Sequence, residues 1–221
     1  MDIAAQRKRG RPPKRIDGGL ETRQALVRAG VIALTEKGFA ATGIDDVLTQ
    51  VGVPKGSFYH YFASKEAFGA ELIDSYAAYF DHKLDRWLGD RRQPPLGRLH
   101  DFMADARRGM QRHDYRRGCL VGNLGQEMAA LPESFRARLI EVLLGWQQRL
   151  QVCLEEAQAA GELAAGHDCA QLAGFFWIGW EGAVLRAKLE RRAAPLDCFS
   201  RGYLALLGAT APEGFGFTKE G

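Results

Sequence analysis

The chain has 221 residues, of which 46% are hydrophobic and 26% are charged. This composition excludes a disordered or fibrous protein, and the length allows one large domain or a small domain joined to a larger one. The formal net charge of +3 is unevenly spread, because residues 1–15 carry six Lys or Arg and one Asp while the remainder sums to −2. A basic arm of this kind suits a polyanion such as nucleic acid, with a solvated tail as the alternative.

The cysteines and the hydropathy pattern predict a cytoplasmic protein without a membrane anchor. The four cysteines are far apart and lack C-x-x-C spacing, so we expect reduced thiols. No apolar signal segment precedes the arm, and the most apolar stretch, residues 170–185, is shorter than a bilayer span and contains Gln171 and Glu181. The histidines are scattered without ligand spacing, and no motif indicates a cofactor, so we expect neither a metal nor a cofactor.

Three short helices are predicted at the start of the folded region. Apolar residues at helical spacing predict a first helix over 21–37, which ends at Gly38. Thr42 is the predicted N-cap of a second helix, which Gly52 ends. A third begins at Pro54 and runs to about Phe62. Two short helices joined by a glycine turn are typical of a helix-turn-helix.

The rest of the chain is also predicted to be helical. Ser64 is a suitable cap for a long helix that extends to about residue 88. Further amphipathic stretches lie near residues 95–112, 119–129, 133–160, 168–192 and 196–207, separated by Pro and Gly. No strand alternation is present in the sequence. We therefore predict an all-α fold.

The third predicted helix carries the residue types that read DNA. Lys55, Ser57, Tyr59 and His60 are expected to face the major groove, while Phe58 and Phe62 face the core. Gly56 is expected to let the backbone approach the phosphates closely. Thr42 and Lys65, at the starts of two other helices, are expected to contact phosphate oxygens. A plain helical corner with a surface lysine is the alternative.

The run Gly52-Val53-Pro54-Lys55-Gly56-Ser57-Phe58-Tyr59-His60-Tyr61-Phe62-Ala63-Ser64-Lys65-Glu66 resembles the helix-turn-helix signature of the TetR repressor family. The resemblance implies a homodimer that binds double-stranded operator DNA and carries a helical ligand-binding domain. It implies DNA contacts by Thr42, Lys55, Gly56, Ser57, Tyr59, His60, Tyr61 and Lys65. We expect a basic arm at 1–19, a helix-turn-helix domain at 20–66, a ligand-binding and dimerisation bundle at 67–210, and a flexible tail at 211–221.

The resemblance also implies a dimer interface made by the last two long helices. Small residues on the first of them and leucines on the second suit such an interface, namely Gly174, Gly179, Gly182, Ala183, Leu204, Leu206 and Leu207. The sequence alone equally permits a contact within one chain. In the arm, Arg9-Gly10-Arg11-Pro12 resembles an AT-hook, so Arg9 and Arg11 are expected in an A·T-rich minor groove.

Cys119 follows two arginines, Arg116 and Arg117, at the predicted start of a helix. Both features favour a thiolate, which is a nucleophile and a target for oxidants. An inert core thiol is the alternative, and the residues alone leave both open.

The runs Gly118–Leu124 and Trp180–Lys188 are similar to the electrophile-responsive branch of the same family, the type that represses N-ethylmaleimide reductase or acrylate utilisation. This similarity implies that Cys119 senses a small electrophile or oxidant. It makes Lys188 a weaker candidate that pairs with or traps the modified sulfur, with a solvated helix charge as the alternative. Trp146, Trp177 and Trp180 are candidates for lining the inducer pocket, or else are core residues.

The predicted function is therefore a repressor that releases its operator on binding or reacting with an electrophile or oxidant. One alternative is a repressor induced by a non-covalent ligand, such as a drug or a short acyl compound, that controls efflux or catabolism. An enzyme with Cys119 as its nucleophile is not predicted, because no base such as a His-Asp pair can be assigned.

Overall fold

The computed structural model describes residues 17–208, and within them every regular element is a helix. The predicted contacts of Arg9 and Arg11 and the predicted tail at 211–221 lie outside these residues. The α-helices are α1 (Asp17–Lys37), α2 (Ile44–Val51), α3 (Lys65–Leu88), α4 (Pro95–Arg112), α5 (Leu120–Gln126), α6 (Glu133–Ala159), α7 (Cys169–Glu190) and α8 (Ala194–Leu206), with 3₁₀-helices at Lys55–His60 and Met128–Ala130. The prediction of an all-α fold is confirmed.

Glycines in the left-handed region set the ends of the first two helices. Gly38, with φ of +78°, follows α1, and Gly52, with φ of +72°, caps α2, as the sequence predicts. The 3₁₀-helix Lys55–His60, called the recognition helix below, follows Gly52. Its Phe58 is fully buried, and with Phe62 it packs against Phe68 of α3. These aromatic contacts hold the recognition helix on the N-terminal domain.

Helix α3 joins the N-terminal helices to the C-terminal bundle. The Ser64 hydroxyl accepts a hydrogen bond from the Ala67 amide at 2.9 Å, which confirms the predicted cap. Gly30 of α1 faces α3 so closely that a Cβ there would stand 2.6 Å from the Phe68 ring, which allows the two helices to pack tightly. The boundary predicted between residues 66 and 67 falls in the first turn of α3, so any movement of this helix reaches both regions.

The C-terminal bundle is built on aromatic side chains between α3, α4, α6, α7 and α8. Phe102, Trp146, Phe176 and Tyr203 are almost completely buried, and each contributes about 1.5–3 kcal/mol or more by leaving water. None of the helices in residues 17–208 has the length and apolar character needed to cross a bilayer.

Candidate DNA-binding surface and sensor cavity

The recognition helix presents four of the predicted DNA-contacting residues to solvent. Lys55, Gly56, Tyr59 and His60 are exposed, and 69% of the Tyr59 surface is accessible. Around Gly56 a Cβ would meet nothing within 4 Å, so nothing inside the protein demands a glycine there. Close approach to a phosphate remains the reason that we expect for it. Ser57 of the recognition helix and Tyr61, which directly follows it, are half-buried.

Two lysines flank the groove between α2 and the recognition helix. The Lys55 ammonium pairs with the exposed Asp45 carboxylate of α2. The Lys65 ammonium donates to the Phe39 carbonyl at 3.2 Å and lies 4.7 Å from the centre of the Phe39 ring. The exposed Lys55 ammonium can therefore exchange the Asp45 carboxylate for a DNA phosphate. The Lys65 ammonium is already held by Phe39, in the loop after α1.

The structure corrects the role of Thr42. Gly43 is the N-cap of α2, and no side chain caps that helix. The Thr42 side chain is buried, and its hydroxyl donates to the Gly38 carbonyl at 2.6 Å. The turn at Gly38 folds the loop back towards the end of α1, so the Gly38 carbonyl lies where it accepts the hydrogen bond from the Thr42 hydroxyl. Thr42 is therefore neither the predicted cap nor an accessible phosphate contact in this conformation.

A cavity of about 300 Å³ lies between the end of α1, the middle of α3, the end of α4, the start of α5 and the middle of α7. Its floor is apolar and aromatic, with Tyr76, Phe80 and Trp180. Three cationic side chains, Lys83, Arg112 and Arg117, also line it, together with His113. The volume is that of a small-molecule site, and the cavity adjoins the helix that leads into the DNA-binding region.

Cys119 lines this cavity as the N-cap of α5. Its Sγ accepts a weak hydrogen bond from the Gly122 amide at 3.5 Å, and the residue is only 8% exposed. Burial and the charge of Glu181 raise the pKa of the Cys119 thiol well above its ordinary value. Of the two states that the sequence leaves open, these surroundings favour the neutral thiol over the thiolate. The Arg117 guanidinium pairs with Glu36 at 3.1 Å, so it is not free to stabilise the sulfur.

Glu181 is a functional candidate that our sequence reasoning missed. Its carboxyl lines the cavity within hydrogen-bonding reach of Cys119 Sγ, and burial raises the pKa of Glu181 to about 7. The Tyr76 hydroxyl also reaches the Cys119 sulfur. A carboxylate in the most apolar helix of residues 17–208 is the sequence signal that points to such a site.

Lys188 lies on the same small recess as Cys119 and Glu181. Its Nζ donates to the Thr35 carbonyl at 3.1 Å, near the end of α1. Burial lowers the pKa of Lys188 from its ordinary value. The alternative of a solvated helix charge is wrong, because this ammonium is half-buried and bonded to the backbone of the DNA-binding region.

Of the three candidate tryptophans, only Trp180 lines the cavity. Trp146 of α6 and Trp177 of α7 are buried against each other, with ring centroids 5.2 Å apart, and are core residues. Trp177 faces α6, whereas Trp180, one turn further along α7, reaches the cavity. This corrects the prediction that all three line the pocket.

Two family models match the N-terminal helices and the C-terminal bundle. The model of bacterial regulatory proteins of the tetR family matches residues 26–72, and that of the tetracyclin repressor-like C-terminal domain matches residues 95–203. The transcriptional regulator AcuR of Cereibacter sphaeroides is 55% identical over 194 residues, which are 88% of this chain and 88% of AcuR. The chain belongs to the TetR family of transcriptional regulators.

A second relative of this TetR-family chain is named as a repressor. NemR of Escherichia coli, an HTH-type transcriptional repressor, is 30% identical over 177 residues, which are 80% of this chain and 89% of NemR. A crystal structure of the regulatory protein TetR from Rhodobacter sphaeroides has 55% identity and a TM-score of 0.81, and covers 82% of this chain and 96% of that one. The crystal structure of E. coli NemR in its reduced form has 28% identity and a TM-score of 0.76. It covers 86% of this chain and 100% of the NemR chain.

These matches identify the chain as a TetR-family transcriptional repressor. Regulators of the family bind operator DNA and act as dimers. The matched families and relatives are regulators and not enzymes, which confirms that prediction.

In this repressor, α5 connects the sensor cavity to α1. The Asn123 side-chain amide donates to the carbonyls of Leu34 and Thr35 at 2.9 and 3.0 Å. The Gly118 amide, just before α5, also donates to the Thr35 carbonyl at 3.0 Å. The Thr35 carbonyl thus accepts hydrogen bonds from residues on both sides of Cys119. Movement of the backbone at Cys119 therefore acts directly on the end of α1.

The opposite end of α5 is bonded to the loop between α1 and α2. The Glu127 carboxylate accepts the backbone amides of Phe39 and Ala40 at 3.0 and 2.9 Å. At Gly38 a Cβ would stand 1.6 Å from Glu127 Oε1, so only a glycine lets the carboxylate approach. Together with Asn123, this contact makes α5 a connector from Cys119 to the helix-turn-helix.

Helices α7 and α8 expose an apolar stripe on the outside of the bundle. It consists of Phe175, Ile178, Leu189 and Leu206, each at least 47% exposed, with open space at Gly182. The other interface candidates pack within the chain: Gly179 lies against the Phe199 ring, Gly174 lies near Gln147, and Leu204 and Leu207 are buried. The structure therefore divides the small-residue and leucine set that the sequence grouped together.

Proposed function

We propose that this repressor releases its operator when Cys119 reacts with a small electrophile or oxidant that enters the cavity. The observation that carries the proposal is the position of Cys119, which lines the cavity and caps the helix bonded to the DNA-binding region. The relationship to NemR, whose structure is described as a reduced form, supports a redox-dependent state in this branch of the family.

The proposed repressor is a homodimer that uses the exposed stripe of α7 and α8 as its interface. An apolar stripe of this size on a single chain is costly in water, and a second copy would cover it. Dimerisation would place two recognition helices at successive major grooves, roughly 34–36 Å apart. Lys55, Gly56, Ser57, Tyr59, His60, Tyr61 and Lys65 form the proposed contact set in each subunit, with Arg9 and Arg11 extending it into the minor groove.

The proposed signal passes through α5 and α3. A group added to Cys119 Sγ would occupy the part of the cavity that Glu181 and Tyr76 line, and we expect the start of α5 and the middle of α3 to shift around it. Movement of α5 would displace Thr35 and the loop after α1. The two recognition helices of the dimer would then no longer have the spacing that the operator requires. A coupling of about 1–3 kcal/mol, typical of allostery, changes operator affinity roughly 5- to 150-fold.

A second candidate is induction by a non-covalent ligand such as a drug or a short acyl compound. The observation in its favour is the cavity volume of about 300 Å³ with cationic side chains on its wall. Such a site can hold a small polar ligand without any bond to sulfur.

Replacement of Cys119 by serine separates the two candidates, because serine also caps a helix. The operator-bound wild type, Cys119→Ser and a Cys198→Ser control are treated with acrylate, a quinone or hypochlorous acid, and DNA release is followed by fluorescence anisotropy. Cys198 is the exposed cysteine of α8. The proposal predicts release from the wild type and from Cys198→Ser and retention by Cys119→Ser. Release from Cys119→Ser contradicts the proposal that reaction at Cys119 is the signal.

A further inference from the structure

We propose that Glu181 is the general base that accepts the thiol proton of Cys119 while an electrophilic alkene forms a bond to Sγ. This inference rests on the proposed function and assigns its chemistry to a second residue. Without such a base, the reaction would have to proceed through a buried neutral thiol, which is a poor nucleophile.

The groups around Cys119 do little to stabilise its thiolate form. The sulfur is buried, and the first arginine before it, Arg116, is exposed to solvent. The second, Arg117, already pairs with Glu36. The amide of Gly122 is the one α5 backbone group that donates to the sulfur, at the long distance of 3.5 Å. A proton acceptor inside the cavity is therefore needed when the sulfur attacks.

The shape of α5 holds the Glu181 carboxyl beside that sulfur. A Cβ at Gly122 would stand 2.1 Å from Glu181 Oε2, so the glycine leaves the space that the carboxyl occupies. From α3, the Tyr76 hydroxyl reaches the same sulfur. Three elements thus bring a thiol, a carboxyl and a phenol together on one cavity wall, which is more than the packing of a buried cysteine requires.

The step balances without an oxidant. Sγ attacks the β-carbon of an α,β-unsaturated carbonyl compound, a carbon–sulfur bond forms, and the S–H proton passes to the Glu181 carboxylate. The alkene π electrons move onto the carbonyl oxygen as an enolate. Glu181 then returns its proton to the α-carbon, so the product is a neutral thioether and the carboxylate is restored.

The acidity of Glu181 suits this role near neutral pH. A general base is most effective when its pKa lies near the working pH, and burial raises the pKa of Glu181 to about 7. At pH 8 most of the carboxyl is ionised and accepts a proton, and at pH 6 most of it is protonated and cannot. Other titratable or charged groups at the cavity or its adjoining recess are Tyr76, Tyr79 and Lys83 of α3, Arg112 and His113 at the end of α4, Arg117, and Lys188 of α7.

The test measures the alkylation rate of Cys119 by acrylamide, a neutral probe, in the full-length protein. Peptide mass spectrometry follows Cys119 and the exposed Cys198 in the same sample. The variants are Glu181→Gln, which cannot accept the proton, and Gly122→Ala, which retains both reacting groups but displaces the carboxyl. Glu141→Gln, at an exposed position of α6, is the matched control. Thermal melting and operator binding check that each variant folds.

We expect Cys119 alkylation at pH 7.5 to slow roughly 10²- to 10⁴-fold in Glu181→Gln, the usual contribution of a general base. A smaller decrease is expected in Gly122→Ala, and none at Cys198 or in Glu141→Gln. The wild-type rate should rise with pH to a midpoint near 7 and then level off. The midpoint should be absent in Glu181→Gln and should remain in His113→Asn.

An equal or faster rate at Cys119 in Glu181→Gln overturns the inference, because it means that removing a negative charge beside the sulfur matters more than losing a base. If Glu181→Gln does not fold, an unchanged rate in Gly122→Ala overturns it. If wild-type Cys119 is not alkylated while Cys198 is, the proposed covalent function fails and this inference fails with it.

Discussion

Lys55 is the exposed cation of the recognition helix, and in the free protein its partner is Asp45. We predict that Lys55→Met weakens operator binding and lowers the slope of log affinity against log salt by about 0.9 for each DNA phosphate that the lysine neutralises. Arg91→Met is the control, because Arg91 is an exposed cation beyond the far end of α3. Fluorescence anisotropy at several salt concentrations measures both slopes. Equal slopes in the wild type and Lys55→Met would contradict the assigned role of Lys55.

At single residues, the sequence predicted exposure well where the local pattern decides it and poorly where distant chain segments do. The inward orientation of Phe58 and the outward orientation of Tyr59 follow from their spacing on one short helix. The burial of Thr42 depends on the turn at Gly38. The raised pKa of the Cys119 thiol depends first on burial in the bundle and then on Glu181, which lies 62 positions away. Local rules for helix starts describe an exposed thiol, and tertiary burial outweighs them here.

At the scale of elements, α5 is the shortest α-helix in residues 17–208. It is bonded to the N-terminal region through Asn123 in its middle and Glu127 just past its end. We predict that Glu127→Ala lowers the free energy of unfolding by about 1–3 kcal/mol, because the amides of Phe39 and Ala40 are left without their acceptor. It should also uncouple the sensor, so that alkylated Glu127→Ala retains its operator.

Thermal melting and operator anisotropy measure the two effects, with Glu133→Ala as the control. Glu133 is exposed in the first turn of α6 and pairs with its neighbour Arg136 on the same helix. Unimpaired release from alkylated Glu127→Ala would contradict a signal through α5 and leave α3 as its carrier.

Most element ends could be predicted from the sequence because single residues set them. Gly38, Gly52 and Ser64 each end or begin a helix through their own backbone or hydroxyl. The predicted stretch 119–129 is in fact α5 followed by a separate 3₁₀-helix, because the chain bends to bring Glu127 against the loop after α1. That contact joins segments 87 and 88 positions apart and has no local signature.

At the scale of the whole molecule, the exposed stripe of α7 and α8 should be the dimer interface. Ile178, which is 78% exposed, lies within it. We predict that Ile178→Glu gives a monomer with greatly weakened operator binding, because a buried interface would have to accommodate an unpaired charge. Leu144→Glu, at a site of α6 that is 58% exposed and outside the stripe, should remain dimeric.

Sedimentation equilibrium gives the mass of each form. A dimeric Ile178→Glu would show that the stripe is not the interface.

The sequence pointed to these two helices only through the family resemblance, since helical spacing alone does not distinguish a face buried within a chain from one buried between chains. Gly179 and Leu204 illustrate this, because both pack within the subunit.

We propose that chemistry at Cys119 controls operator binding. This is tested by titrating the operator-bound repressor with a quinone while anisotropy and the mass of the Cys119 peptide are measured in the same samples. We predict that the fraction of DNA released follows the fraction of Cys119 modified and that neither changes in Cys119→Ser. Release that precedes modification, or full modification with the operator still bound, would contradict it.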